Sequence, residues 1–353
     1  MITPSQNQNS VRFRITRLVG YGLATACLVW VLHYFHIVQF LRKMAEVNWR
    51  WVLVGMAFDV LSYGIQALRW KFLLTPFGKV RLTRSIRAVY AGLFANLVLP
   101  LRPGEFLRSY LLSNSEGITI GRVLGSVGVE RFIDLVIATA SLAVVSLFVD
   151  LPRRFQKTAD TLAIVTLVLL AIVVVVILYL EIKMGSSPEP DAKEERRLSG
   201  RVMAALWDLH AMGTAPSFYA ALFTSFLMPL CQVFGLWAMM RSYGLEFQVN
   251  EIMVPISFLA AVVVLLVINL GVSLPNAPAN LGSYQLFCVI GLGVFDIEKS
   301  TATGFSIFAF LALTFPFIFL GFAALVRSGL SVHSMREKVG GLRGHTLKPS
   351  TQT

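Results

Sequence analysis

Residues 99–108 read LPLRPGEFLR. Pro100, Pro103 and Gly104 break any helix here, and Arg102, Glu105 and Arg108 crowd three charges around the break. Strongly apolar sequence lies on both sides. The chain is 353 residues long, 56% hydrophobic and only 14% charged, where a soluble protein carries roughly 25% charged residues. Apolar windows near 18–37, 51–68, 126–149, 161–180, 217–240, 253–274 and 303–326 approach the roughly 20 residues that cross a bilayer. The expected class is all-α, a polytopic membrane helix bundle with additional broken or re-entrant helices.

The first window reads as a spanning helix rather than a cleaved leader, because VLHYFHIVQFLRK follows it and no small-residue cleavage site closes it. His33 and His36 fall near its outer end and read as interface residues. The net charge of +12 reads as membrane flanking rather than nucleic-acid binding. Its blocks border the apolar windows: Arg12, Arg14 and Arg17; Arg69 to Arg87; Lys183 to Arg201; Arg327 to Lys348. Positive-inside asymmetry places all four blocks, and both termini, in the cytoplasm; Arg153, Arg154 and Lys157 are the exception. Helix one then goes out and 51–68 returns. The 12-residue run 88–99, about 18 Å as a helix, is too short to cross. Residues 88–113 therefore read as a re-entrant hairpin with LPLRPGEFLR at its tip. Backbone broken at membrane depth has to be buried in protein or line a wet cavity.

Within the tip, Glu105 sits in the first turn of the following helix, where the helix dipole favours an anion, and Arg108 three residues on can pair with it. A second charged group, GSVGVERFIDLV, places Glu130, Arg131 and Asp134 at the start of a spanning helix, with Glu130 and Asp134 on one face. Arg102, Glu105, Arg108, Glu130, Arg131 and Asp134 sum to three positive and three negative charges, a set that makes ionised groups tolerable in lipid. Gly121, Gly125 and Gly128 just before them read as a close-packing stripe. Cys27, Cys231 and Cys288 all lie inside apolar windows, so neither a structural disulfide nor a metal site is expected, and no cofactor. Asp59 is a lone acid in the second window, suited either to a cavity wall or to a basic neighbour.

The broken motif recurs. NLVLPLRPGE at 96–105 resembles GVSLPNAPAN at 271–280, with the leucines of Leu-Pro-x-x-Pro at 99 and 274, 175 residues apart. Pro275, Pro278 and Gly282 repeat the helix break. Asn276, Asn280, Ser283, Tyr284 and Gln285 offer hydrogen bonds in place of charge. Paired interrupted helices in two halves point to a transporter site. The expected organisation is a tail at 1–17, one membrane domain at 18–328 with halves 18–183 and 202–328 around a hydrophilic linker at 184–201, and a basic tail at 329–353.

LRWKFLL, NLVLPLRPGEFLRSYLL, VERFIDL and LPNAPANLGSYQ, in that order, resemble the lysylphosphatidylglycerol synthase transmembrane-region family, also described as flippase-like membrane proteins. The resemblance runs from about residue 15 to 328 and implies an integral inner-membrane protein of about eight crossings that handles lipids with anionic or zwitterionic headgroups. Family members include the flippase half of the enzyme that aminoacylates phosphatidylglycerol, and stand-alone proteins of hopanoid, glycolipid and dolichol-type pathways. The second family motif usually reads Pro-Gly-Gly-x-Gly followed by a glutamate; here it is Pro278-Ala279-Asn280-Leu281-Gly282, with Gln285 at the acid position. The short basic stretch after Arg327 is too small for an aminoacyl-transfer site, so a non-enzyme is expected.

These features favour a lipid translocase whose polar groove is lined by both broken segments, with Arg69, Arg102 and Arg108 binding a phosphate and Glu105, Glu130 and Asp134 holding those arginines when the groove is empty. Substrates would be a phospholipid or a polyprenyl-, hopanoid- or glycolipid-type lipid. The alternatives are a membrane transferase acting on a lipid carrier, or a non-catalytic partner of a lipid-synthesis enzyme.

Overall fold

The computed structural model describes residues 35–99, 103–147, 207–249, 252–272 and 278–328, with scattered positions in 22–33 and 157–175. The expected tails at 1–17 and 329–353, the linker at 184–201 and most of the 18–37 window lie outside these residues. The protein is an all-α membrane helical protein. Its elements are α1 (Ile37–Glu46), α2 (Trp49–Leu74), α3 (Leu82–Val98), α4 (Gly104–Glu116), α5 (Ile120–Ser146), α6 (Ser217–Ser242), β1 (Glu246–Val249), β2 (Ile252–Pro255), α7 (Phe258–Val272), α8 (Ser283–Gly293) and α9 (Lys299–Arg327). A shorter apolar helix covers Ala163–Ile172.

Three described helices are long and apolar enough to cross a membrane: Trp49–Phe77, Ser217–Ser242 and Lys299–Arg327. Each presents many large apolar side chains outward, such as Leu53, Phe223 and Phe319, as helices bathed in lipid do. Pro229 and Pro316 sit inside the second and third of these, a placement that membrane helices accommodate. At 27 residues α5 is long enough, but it carries Glu130, Arg131 and Asp134 near its middle.

The chain divides into two compact units. One comprises Met1–Leu61, Tyr90–Leu107 and Cys231–Thr353; the other comprises Ser62–Val89 and Arg108–Leu230. In the first unit the core is built by Val52, Met239, Val264, Ile268, Leu292 and Phe305, with further apolar residues around them. Here α2 and α6 cross at paired glycines. A Cβ on Gly55 would stand 2.9 Å from the Gly235 carbonyl oxygen, and one on Gly235 would stand 3.1 Å from the Gly55 oxygen. Small residues at such a crossing let two membrane helices meet backbone to backbone. The buried thiols of Cys231 and Cys288 are free.

Both broken segments are helical hairpins. In the first unit α7 and α8 run antiparallel, with Gly271 against Phe287 at one end and Gly291 against Val264 at the other. Their 15 and 11 residues span only about 22 and 16 Å. At the first break, the Gly104 N–H donates to Asn96 Oδ1 at 2.8 Å, which folds the start of α4 back onto the end of α3. A Cβ on Gly104 would collide with the Gly92 carbonyl oxygen and stand 2.7 Å from Asn96 Oδ1, so no larger residue fits that turn. In the second unit the other ends of the same two helices are joined: the Arg81 N–H donates to Glu116 Oε1 at 2.9 Å, and Arg84 Nη1 donates to Glu116 Oε2 at 3.0 Å and to the Ser115 carbonyl.

Four expectations need correction. The run at 88–99 is part of a longer helix: α3 starts at Leu82 and has 17 residues, about 26 Å. The window at 253–274 is not one spanning helix, because β1 and β2 form an antiparallel hairpin, Glu246 opposite Pro255, and α7 begins only at Phe258. Pro255 holds the preceding residue extended and ends that strand. The window at 18–37 is not helical to its end, since the backbone is extended at His36 and Ile37 begins the separate helix α1. Finally, among the described residues Gly121, Gly125 and Gly128 form no packing stripe: none of those residues lies within 4 Å of a Cβ built on Gly121 or Gly128, and Gly125 meets only the Met212 side chain, at 3.9 Å.

Candidate functional site

The second unit places one continuous ion network on three helices. Along α2, Gln66, Arg69 and Trp70 share a face by their i, i+3, i+4 spacing; along α5, Ser126, Glu130 and Asp134 do so at i, i+4, i+8. Arg69 is the centre of the network and is fully buried. Its Nη2 donates to Glu130 Oε1 at 2.6 Å and its Nη1 to Asp134 Oδ1 at 2.6 Å. A second, longer contact joins Nη2 to Asp134 Oδ2 at 3.3 Å, and Ser225 Oγ on α6 lies 3.4 Å from Nη1.

Glu130, also fully buried, receives two more donors: Gln66 Nε2 on Oε1 at 2.7 Å and Arg108 Nη2 on Oε2 at 2.9 Å. The Arg108 guanidinium lies 4.8 Å from the centroid of the Trp70 ring, a cation–π distance. Trp70 is itself fixed by its Nε1–H to Ser126 Oγ at 2.9 Å. At the outer end Arg131 Nη1 donates to Asp134 Oδ2 at 3.3 Å, with side-chain exposures of 49% and 31%.

The network is thus a ladder of alternating charge, Arg131–Asp134–Arg69–Glu130–Arg108, running from a half-exposed end into the interior. Taking ions out of water is costly, and only close pairing with further hydrogen bonds repays it. Glu130 meets that condition with three donors. The five residues carry three positive charges and two negative ones, one positive charge in excess. The buried Nε atoms of Arg69 and Arg108 have no hydrogen-bond partner among the described residues. Unused guanidinium N–H groups suit an anion, which a guanidinium meets bidentately.

Of the residues expected from the sequence, Arg69, Arg108, Glu130, Arg131 and Asp134 come together here. Arg69 differs from its expected role. Both of its Nη atoms are held by carboxylates, so it braces the helices rather than reaching out to a ligand. Glu105 stands half-buried in the first turn of α4, in the first unit. Pro103 accepts the Leu107 N–H at 3.0 Å, which starts α4. Pro100, Arg102, Pro275 and Asn276 lie outside the described residues. At the second break, Pro278 opens a short 3-10 turn, Pro278–Asn280, while Ala279, Asn280 and Gly282 have φ of 58°, 58° and 84°. The Asn280 side-chain oxygen is buried without a hydrogen-bond partner among the described residues. Gln285 is a helix cap: its Oε1 accepts the Gly282 N–H at 2.8 Å. A glutamine or a glutamate can make that bond.

Sequence reading missed Gln66, Trp70, Ser126 and Ser225. A signal for the first two was present, since IQALRW sets a polar side chain one turn before Arg69 and an indole directly after it.

The family described as Lysylphosphatidylglycerol synthase TM region matches residues 17–321. The chain belongs to this family. The matched span contains both broken hairpins and every residue of the ion network. Family membership makes this an integral membrane protein connected with membrane lipids, and no catalytic domain is evident in the matched region. No curated protein and no solved structure matches the chain.

Proposed function

We propose that this protein moves a lipid with an anionic or zwitterionic headgroup between the leaflets of the inner membrane, both termini facing the cytoplasm, without changing the lipid chemically. The observation that carries this reading is the buried charge ladder with the unused N–H of Arg108, in a family connected with membrane lipids. Arg108 is the residue to engage the headgroup phosphate. It is held by the single carboxylate of Glu130, whereas Arg69 is held by two carboxylates, and it has an unused Nε–H. A phosphate that displaces Glu130 from Arg108 leaves that carboxylate still bound by Arg69 and Gln66, so opening the inner end of the ladder strands no buried charge.

The test is purified protein in vesicles carrying a fluorescent phosphatidylglycerol in one leaflet. Exchange faster than in empty vesicles, with the lipid recovered intact, is the expected outcome. Arg108→Lys keeps the charge but loses the planar fork; losing charge-assisted hydrogen bonds of roughly 1.5–3 kcal/mol should slow exchange by about 10–100-fold at unchanged protein level. Exchange no faster than in empty vesicles would refute the reading, and a chemically converted lipid would favour a membrane transferase.

A further inference from the structure

Helix α1 has three different sides. Successive residues turn by about 100°, so Phe40, Met44 and the following Val47 line up on one third of the circumference. Val47 is part of the first unit's core, and Phe40 and Met44 pack against it. The next third holds Ile37, Val38, Leu41 and Ala45, and it is open: Ile37, Val38 and Leu41 are 55%, 69% and 61% exposed. The last third holds Gln39, Arg42, Lys43 and Glu46, with Lys43 paired to Glu46 at 3.2 Å. A water-soluble surface helix has two sides, one to the core and one to water. A separate exposed apolar side requires a third medium.

The position of α1 identifies that medium. Its ten residues reach about 15 Å, too short to cross a bilayer. Extended backbone at His36 and Val47 cuts it off from its neighbours on both sides. All three long apolar helices have an end beside it. Trp49 opens α2 directly after the α1–α2 joint; the Asn48 N–H donates to the Ser242 carbonyl at the end of α6, at 3.0 Å; and the Phe40 ring lies 3.6 Å from a Cβ built on Gly304, near the start of α9. Trp49 is 60% exposed, and tryptophan concentrates where a membrane meets water.

We infer that α1 lies flat in the membrane–water interface, its Ile37–Val38–Leu41–Ala45 side in the headgroup–acyl boundary and Arg42 and Lys43 among anionic lipid headgroups. Amphipathic helices of this kind sit roughly 5–10 Å into that boundary. The inference does not depend on what the protein transports.

A fluorescent, environment-sensitive amino acid replacing Leu41, and separately Gln39, tests it in vesicles of phosphatidylglycerol and phosphatidylethanolamine. Both positions are exposed, so both variants should elute from size exclusion like the parent; Val38 replaces Leu41 if that variant does not. At Leu41 the emission should shift to the blue and lose more intensity to lipids spin-labelled near the headgroup than to lipids labelled at the chain end. At Gln39 aqueous iodide should be the stronger quencher. Three results would overturn the inference: equal iodide quenching at both positions, strongest quenching of Leu41 from the chain ends, or a Leu41 probe that neither iodide nor lipid quenches.

Discussion

Glu130 accepts from Gln66, Arg69 and Arg108 at once, so its loss is felt by two buried cations. Glu130→Gln keeps the shape and removes the charge. Breaking a buried pair costs roughly 3–5 kcal/mol, and the variant should show a marked fall in membrane abundance and in melting temperature in detergent. Arg131→Gln, at the half-exposed end, removes a pair of the kind worth about 0–1 kcal/mol and should leave both readouts near the parent values. Equal behaviour of the two variants would contradict the burial argument. Gln285→Leu is the corresponding test at the second break. It leaves the Gly282 N–H without its acceptor, a penalty of about 1–3 kcal/mol, readable as a lower melting temperature.

Among the elements, the two breaks were legible because proline and glycine interrupt a helix wherever they occur, and Leu-Pro-x-x-Pro occurs at both. What followed each break was less legible. Spacing along one helix pairs Arg108 with Glu105 three residues before it, but it says nothing of a partner 22 residues away on α5, which the structure gives it in Glu130. Arg69 was read as a ligand residue for the same reason: its carboxylates are 61 and 65 residues distant. Glycine spacing misled in the opposite direction, since periodicity shows that glycines share a face but not whether another helix lies on it. The consequence is a pair of opposite expectations. Gly104→Ala forces a methyl into the Gly92 carbonyl and should cost about 1–3 kcal/mol or more, seen as poor recovery of folded protein. Gly128→Ala meets nothing within 4 Å among the described residues and should be neutral, or stabilising by up to about 1 kcal/mol through helix propensity. Side-by-side thermal unfolding of the two proteins checks both signs.

For the whole molecule, all-α membrane architecture followed from composition and the lengths of apolar runs, which depend on the solvent rather than on any particular contact. The hairpin at 246–255 did not follow, because a four-residue strand beside an apolar helix looks like more apolar helix; Pro255 was the available clue. Sidedness remains a statistical inference from charge, and it makes a sharp expectation. Asn114, exposed near the end of α4, should be cytoplasmic, and Glu46, exposed at the end of α1, should face outward. In intact cells a membrane-impermeant maleimide should label Glu46→Cys readily and Asn114→Cys only after permeabilisation. Labelling in the reverse order would invert the topology.

The distance along the chain between Arg69 and its carboxylates also bears on how the protein is made. When α2 leaves the ribosome, Arg69, five residues before the end of the helix, has no counter-charge, and an uncompensated arginine resists entry into lipid, by up to roughly 2.5–3.5 kcal/mol at a bilayer centre and by less toward a helix end. Glu130 follows 61 residues later, about 3–12 seconds at ordinary rates of synthesis. During that interval α2 has to wait beside the insertion machinery, or at the bilayer surface, until α5 arrives. Insertion of this protein is therefore a matter of timing as well as hydrophobicity, and a chain halted before Glu130 should still hold α2 loosely enough for alkaline carbonate to extract it.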